Sequence, residues 1–407
     1  MRDWTGEAMN TPDARFLVIT ELFQPTKGGT AVWFDEVYRR MGGAGTHILT
    51  ADVPGAEEHD RASPNTIHRL GLKRYPWLRP ESLPVYLEFF LKTLSVGWRH
   101  PVTQIHAGRV LPEGLVAVRA GRLLRLPVVI YAHGEEITTW RQPRRVKAMR
   151  EAYCGAQLVI ANSEFTRGLL LDMGVQPERV VIINPGVDTE RFRPGLDGSK
   201  LRASLGLKPE AKLILSVGRL SRRKGFDYVM QSVPELVRRG LDVHHAVIGK
   251  GEDAEYLAGI RAASEMPERI HLLGGVSADD LPLWYAASDL FAMPNRDIGA
   301  DTEGFGMVYI EAAACGRTSL TGMAGGTGSA VLDGETGLRC DGNSLPAVTE
   351  ALFRLLDPTT GLGAKCASRA EFRARTHFSW TAVAEKTQEE CKRLSTLNVG
   401  GSSPSAR

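Results

Sequence analysis

Short apolar runs rich in β-branched residues alternate with helical patterns along nearly the whole chain, and glycine-bearing loops follow the runs. The first series is Phe16 to Thr20, Val102 to His106, Val128 to Tyr131, Leu158 to Ala161 and Val180 to Ile183. A second follows as Leu213 to Val217, Ala246 to Ile248, Ile270 to Leu273, Leu290 to Met293 and Ser319 to Thr321. Runs without polar alternation suit strands buried on both faces of a parallel sheet. After the first run, Phe34, Val37, Tyr38 and Met41 fall at i, i+3, i+4 and i+7, an amphipathic helix entered through Gly28-Gly29-Thr30. Asn184 to Asp188 and Pro194-Gly195 separate the two series. The expected fold is α/β, with Rossmann-like domains over 13–190 and 191–377. Ligands in such folds bind beyond the carboxyl ends of the strands, so the cleft between the domains is the expected site.

At 407 residues the chain can bury two cores, and 50 Lys+Arg against 47 Asp+Glu give too little excess charge to mark a nucleic-acid binder. The five cysteines show no CxxC spacing, and neither a zinc set nor a disulfide framework can be read from them. No run reaches the roughly 18 apolar residues of a membrane span, and the first residues lack a signal-peptide core. A cytoplasmic protein is expected, with 1–12 and 398–407 disordered. The stretch from about 54 to 85 resists assignment. It carries Lys73-Arg74-Tyr75-Pro76-Trp77-Leu78-Arg79, either a solvated loop or a contact for acceptor or lipid.

The most informative segment is Asp301 to Gly316. Glu311 lies among Val308, Ile310, Ala312 and Ala313, where a carboxylate is costly to bury unless hydroxyls or amides donate to it. A ribose diol would serve, and a surface glutamate on a capped helix is the plain alternative. Gly304 and Gly306 sit where this helix should begin, so unpaired N–H groups and the helix dipole offer a place for phosphate. Arg219 and Lys224 follow directly on a buried strand, where they would either point into the cleft to neutralise a diphosphate or form a solvated basic loop. The loop Gly249-Lys250-Gly251-Glu252 ends another strand and could approach a nucleoside. His133 ends the Val128 to Ala132 run, as a substrate contact or a structural histidine. Asn162 and Ser163 read best as a helix cap, with cleft contacts the alternative. Arg141, Arg144, Arg145, Lys147 and Arg150 form either a solvated helix face or a lipid-docking one.

No GxxxxGK[ST], HExxH, GxSxG or Asp-x-Asp occurs, and no GxGxxG opens the first βα unit. Triphosphate hydrolysis, metalloprotease and dehydrogenase chemistry lose support.

Taken together these residues resemble the family-four retaining glycosyltransferases of GT-B fold, over most of the chain and most strongly from Val187 to Asp341. The pair Glu303-x7-Glu311, the dipeptides Gly218-Arg219 and Lys224-Gly225, the Gly28-Gly29 loop and His133-Gly134 occur in that family's order. The wording around Ala292-Met293-Pro294 and Glu303 to Gly316 is similar to that of bacterial lipid-directed mannosyltransferases. The resemblance implies that Arg219 and Lys224 hold the diphosphate of a nucleotide sugar, GDP-mannose or a UDP-sugar, and that Glu311 takes the ribose. It implies a sugar held by Glu303 and by Gly304, Phe305, Gly306, Met307 and Val308, with Gly249 and Gly251 near the nucleoside. His133 would reach the donor sugar, while Gly28, Gly29 and Thr30 would meet phosphate or acceptor. It further implies retention of configuration with no metal or other cofactor, a glycan or lipid-linked acceptor, and a helix at about 378–396 packing back on the first domain; contact with an anionic membrane is the expectation drawn from the basic segments at 73–79 and 141–150. A nucleotide-sugar 2-epimerase and a non-catalytic sugar-nucleotide binder are the competing readings.

Overall fold

The computed structural model describes residues 15–26, 28–78 and 81–399. The ends expected to be disordered lie outside these, except that residues 398 and 399 close the last helix, Trp380–Val399. The chain builds two all-parallel sheets. The first has seven strands, β1 (Phe16–Ile19), β2 (His47–Ala51), β3 (Thr66–Leu70), β4 (Gln104–Ala107), β5 (Val128–Ala132), β6 (Leu158–Ala161) and β7 (Val180–Ile182), in the order β3-β2-β1-β4-β5-β6-β7. The second has six, β8 (Lys212–Val217), β9 (Val243–Ile248), β10 (Ile270–Gly274), β11 (Leu290–Met293), β12 (Thr318–Gly322) and β13 (Gly337–Cys340), in the order β10-β9-β8-β11-β12-β13. In each sheet the order reverses beside its first strand, the place where doubly wound folds open a crevice.

Every residue of β1, β4, β5 and β6 is buried, which is why these segments read as unbroken apolar runs. Helix Gly29–Met41 covers one face of the first sheet with Trp33, Phe34, Val37, Tyr38 and Met41. The last helix returns to the same layer, where Trp380, Val383, Cys391 and Leu394 pack with those residues. Each large apolar side chain fully buried in this way contributes about 1.5–3 kcal/mol. Where the chain passes between domains, its two crossings lie side by side: Val187 N–H donates to the Phe378 carbonyl at 2.7 Å, and Val187 pairs with Ser379.

Histidines are built into both sheets as neutral groups. His106 is fully buried, its Nδ1 2.5 Å from Tyr38 Oη and its Nε2 3.0 Å from Gln104 Oε1. His245 Nε2 lies 2.8 Å from Ser216 Oγ. His47 faces His68 at 3.1 Å, and His244 faces His271 at 3.1 Å. Burial pushes His106 and His245 down to about 3. Burial and neighbouring histidines push His47 and His271 down to about 4. In the unfolded chain these rings titrate near ~6.5, so below that pH the unfolded state binds more protons than the folded one. Their contribution is fully present above pH ~6.5 and is lost as pH falls toward about 4 and then 3. Glu113, raised to about 7 by burial, and Glu311, also raised by burial, oppose this, but they are outnumbered by the four histidines. The urea midpoint is therefore expected to be lower at pH 5 than at pH 7.5; equal midpoints would contradict the neutral-histidine account.

Candidate active site in the interdomain cleft

The carboxyl ends of both sheets face a cleft of about 440 Å³ whose walls come from both domains. Gly28, Gly29 and Thr30 form one wall, at the N-terminus of helix Gly29–Met41, with Trp33 one turn on. Glu303, Gly304, Phe305, Gly306 and Met307 form the facing wall, leading into helix Met307–Ala314. The first N–H groups of a helix have no partner within it and carry the positive end of the dipole. Two such ends converging on one space make it a receptacle for anions. The approach is close: a Cβ at Gly29 would stand 2.8 Å from Met307 Sδ, and one at Gly304 would stand 2.3 Å from the His133 carbonyl oxygen.

His133 lines the cleft just beyond β5. Its Nε2 lies 2.8 Å from the Gly108 carbonyl, which can only accept, so Nε2 carries the hydrogen. The Trp33 ring meets the imidazole edge-on at 5.7 Å between centroids. Asn162 also lines the cleft and donates to the His133 carbonyl at 2.9 Å. The cap reading holds for Ser163, whose hydroxyl accepts from Thr166 N–H.

The loop after β8 supplies the cations. Residues Arg222–Lys224 form a single 3-10 turn, which brings Arg223 and Lys224 to the same carboxylate. Lys224 Nζ lies 2.5 Å and Arg223 Nη1 2.8 Å from Glu303 Oε2, and Arg223 Nε reaches Asp301 at 3.0 Å. Burial alone would raise the Glu303 carboxyl, but Lys224 and Arg223 overcome it and hold the group below its usual range. Arg222 stacks instead on Tyr256, 4.0 Å from the ring centre. Arg223 was not foreseen, because a run of three basic residues does not tell which of them a turn will direct inward.

Other expected site residues stand apart from the cleft wall. Arg219, expected to point inward beside Lys224, forms a two-bond pair with Glu252 at 3.0 and 2.7 Å, and both side chains are exposed. The guanidinium has taken the nearest carboxylate, and its hydrogen bonds draw Glu252 down to about 2. Gly249 and Gly251 are required where they stand for packing: a Cβ would come 1.8 Å from Gly218 O and 2.3 Å from Leu220 O, respectively. Glu311 is half-buried one helical turn beyond Val308 and Met307, and its Oε2 accepts from Tyr285 Oη at 2.8 Å. Burial raises its carboxyl. It therefore has one hydroxyl donor already and lies deeper than a simple surface glutamate. Among the described residues no three His, Cys, Asp or Glu side chains are grouped to hold a metal ion.

Two family models match the chain. One described as Glycosyltransferase Family 4 matches residues 27–191, and one described as Glycosyl transferases group 1 matches residues 197–371. A GDP-mannose-dependent alpha-(1-6)-phosphatidylinositol monomannoside mannosyltransferase of Mycolicibacterium smegmatis is 32% identical over 349 residues, 84% of this chain and 89% of that one. The protein of the same description from Mycobacterium tuberculosis is 29% identical over 92% of this chain and 97% of its own. Among solved structures, Anabaena Alr3699/HepE in complex with UDP aligns with a TM-score of 0.77 at 20% identity, covering 93% of this chain and 100% of that chain.

Proposed function

Since this chain belongs to the family-four glycosyltransferases of GT-B fold, we propose that it moves a mannosyl group from GDP-mannose to a hydroxyl of a phosphoinositide-type glycolipid, with retention and without a metal ion. The observation that carries this is the meeting of two helix N-termini, His133 and Glu303 at one interdomain cleft, with Lys224 and Arg223 held on the Glu303 carboxylate behind its wall. Lys224 and Arg223 are the cations that would take the diphosphate, exchanging the Glu303 carboxylate for phosphate oxygens when donor binds. As the glycosidic bond breaks, negative charge grows on the leaving phosphate, and prepositioned cations stabilise that charge more than the ground state. The leaving phosphate oxygen then accepts the acceptor hydroxyl proton on the same face of the sugar.

Thermal stabilisation by a panel of nucleotide sugars, with and without EDTA, tests the donor. An EDTA-insensitive shift with GDP-mannose is expected; no shift with any GDP-, UDP- or ADP-sugar would sink the proposal. Incubation with donor alone separates a transferase, which hydrolyses it slowly at most, from an epimerase, which changes the sugar. We further propose that Glu311 takes the ribose hydroxyls in place of part of its Tyr285 contact. Glu311→Ala should then raise the donor Kd about tenfold with little change in turnover, as expected for loss of one charged hydrogen bond. A donor titration with wild-type affinity would remove Glu311 from the nucleotide site.

The acceptor side carries a face suited to lipid. No helix among the described residues is long and apolar enough to cross a membrane. Helix Leu83–Arg99, however, exposes Leu83, Leu87 and Leu91 at four-residue spacing, and Trp77 and Trp98 are about three-quarters exposed. Lys73, Arg74 and the exposed cations of helix Pro143–Gly155 belong to the same domain. Apolar residues together with cations favour an anionic interface. Co-sedimentation with phosphatidylglycerol vesicles at low salt, reduced by Leu87→Glu and Trp77→Ala, is the expected result; failure to sediment would defeat the membrane contact.

A further inference from the structure

Gly218 lies against Lys224: a Cβ there would stand 3.7 Å from Lys224 Cε and 3.9 Å from its Nζ. The chain therefore enters Arg219 beside the ammonium that holds Glu303. The Arg219 guanidinium nevertheless leads away, donating through Nε and Nη2 to the two oxygens of Glu252 at 3.0 and 2.7 Å. After Glu252, Asp301 and the cleft-lining Glu135 attract it as well. The loops beneath the pair are fastened together. Gly218 N–H donates to the Ile248 carbonyl at 3.0 Å, Leu220 N–H to that of Lys250 at 3.0 Å, and Asp253 N–H to that of Leu220 at 3.1 Å. Arg219 and Glu252 can then change partners only by turning their side chains. Those side chains are open to solvent, 67% and 54% exposed. Exposed ion pairs are worth at most a factor of about five in an equilibrium. Lys224 and Arg223 differ, because the carboxylate they share is only 13% exposed. A guanidinium fork fits the oxygens of a diphosphate as well as those of a carboxylate.

We infer that Glu252 is a positioning residue that parks Arg219 away from the empty cleft and competes for it with an entering diphosphate, so that Glu252 sets how tightly a nucleotide is held. This rests on the transferase reading and adds to it a residue whose presence weakens donor binding. Glu252 acts only through Arg219 and touches no reacting atom. Its competition opposes substrate and transition state alike, so it bears on KM and leaves kcat unchanged.

The test measures by calorimetry the Kd of GDP and of inorganic pyrophosphate for the full chain, for Glu252→Gln, for Arg219→Ala and for the double variant. Both side chains are exposed, and melting curves without ligand show that each variant folds. Glu252→Gln should bind both ligands about three- to fivefold more tightly, a gain that no loss of structure would produce. Arg219→Ala should bind them more weakly than wild type, and adding Glu252→Gln to it should bring no gain. Equal gains with and without Arg219 would reduce Glu252 to a repelling charge and overturn the inference; unchanged or weaker binding by Glu252→Gln would overturn it too. If GDP-mannose stabilises the wild-type chain while Glu252→Gln changes nothing, the transferase reading stands and this inference falls. If neither GDP nor GDP-mannose binds but pyrophosphate still shows the gain that depends on Arg219, the transferase reading falls and the parking contact stands. Binding of none of these ligands by wild type would overturn both.

Discussion

Lys224→Ala is expected to lower turnover about 10²-fold or more, the scale of losing one prepositioned charge contact to a developing anion. The loss should fall mainly on kcat, because the cation acts most strongly on the leaving phosphate as the bond breaks. The folded state should survive, since Arg223 remains 2.8 Å from Glu303 and keeps that buried carboxylate paired. Steady-state kinetics with GDP-mannose, alongside a melting curve, distinguish the two effects. A variant that folds and turns over within about threefold of wild type would remove Lys224 from the reaction.

The largest loss of stability is expected a short distance behind the site. Asp227 and Arg296 are both buried, with the guanidinium 2.6 Å from the carboxylate. Asp227 also accepts from Tyr256 Oη at 3.1 Å and Tyr228 N–H at 3.0 Å, while Arg296 stacks over the Tyr228 ring. Removing one partner of such a pair costs about 3–5 kcal/mol, because the other charge is left buried without compensation. Asp227→Ala should therefore shift the urea midpoint sharply downward, and Asp227→Asn, which keeps an acceptor oxygen, should shift it less. A loss under about 1 kcal/mol for Asp227→Ala would show that water or a neighbouring group takes the charge. The pair bears on the reaction as well, since Arg296 N–H donates to the Arg223 carbonyl at 2.8 Å and so ties the basic turn to the loop after β11.

Ten strands were legible from their short apolar runs: eight are central strands, where a parallel sheet admits little but apolar residues, and two, β7 and β10, are edge strands that keep the pattern. Three were not. β2 and β3 lie toward one edge of the first sheet and carry His47, Thr50, His68 and Arg69, so their pattern is broken by polar groups. β13 is an edge strand of four residues, Gly337 to Cys340, with an arginine among them. The helix entered at Gly28-Gly29 was visible from its spacing, and all four residues that defined it are buried. At the site, the strand and helix ends singled out His133, Gly304 and Gly306, and the family resemblance added Gly28 to Thr30, Glu303, Phe305 and Met307; the fold gathers all of these around one cleft. Sequence could not foretell that Arg219 turns to Glu252 while Arg223 turns to Glu303, because that choice depends on a three-residue turn and on which carboxylate lies nearest.

The paired crossings at Val187 and Ser379 give the molecule the topology of a plug set into a socket. The second sheet and its helices are spliced into the first domain, whose own layer is finished only by the last helix. Exchange of the second domain with that of a relative therefore needs two joints, one near residue 187 and one near residue 379. A chimera made with a single joint would leave Trp33 and Phe34 facing a foreign terminal helix, and its first failure would be in the first domain, which was never replaced.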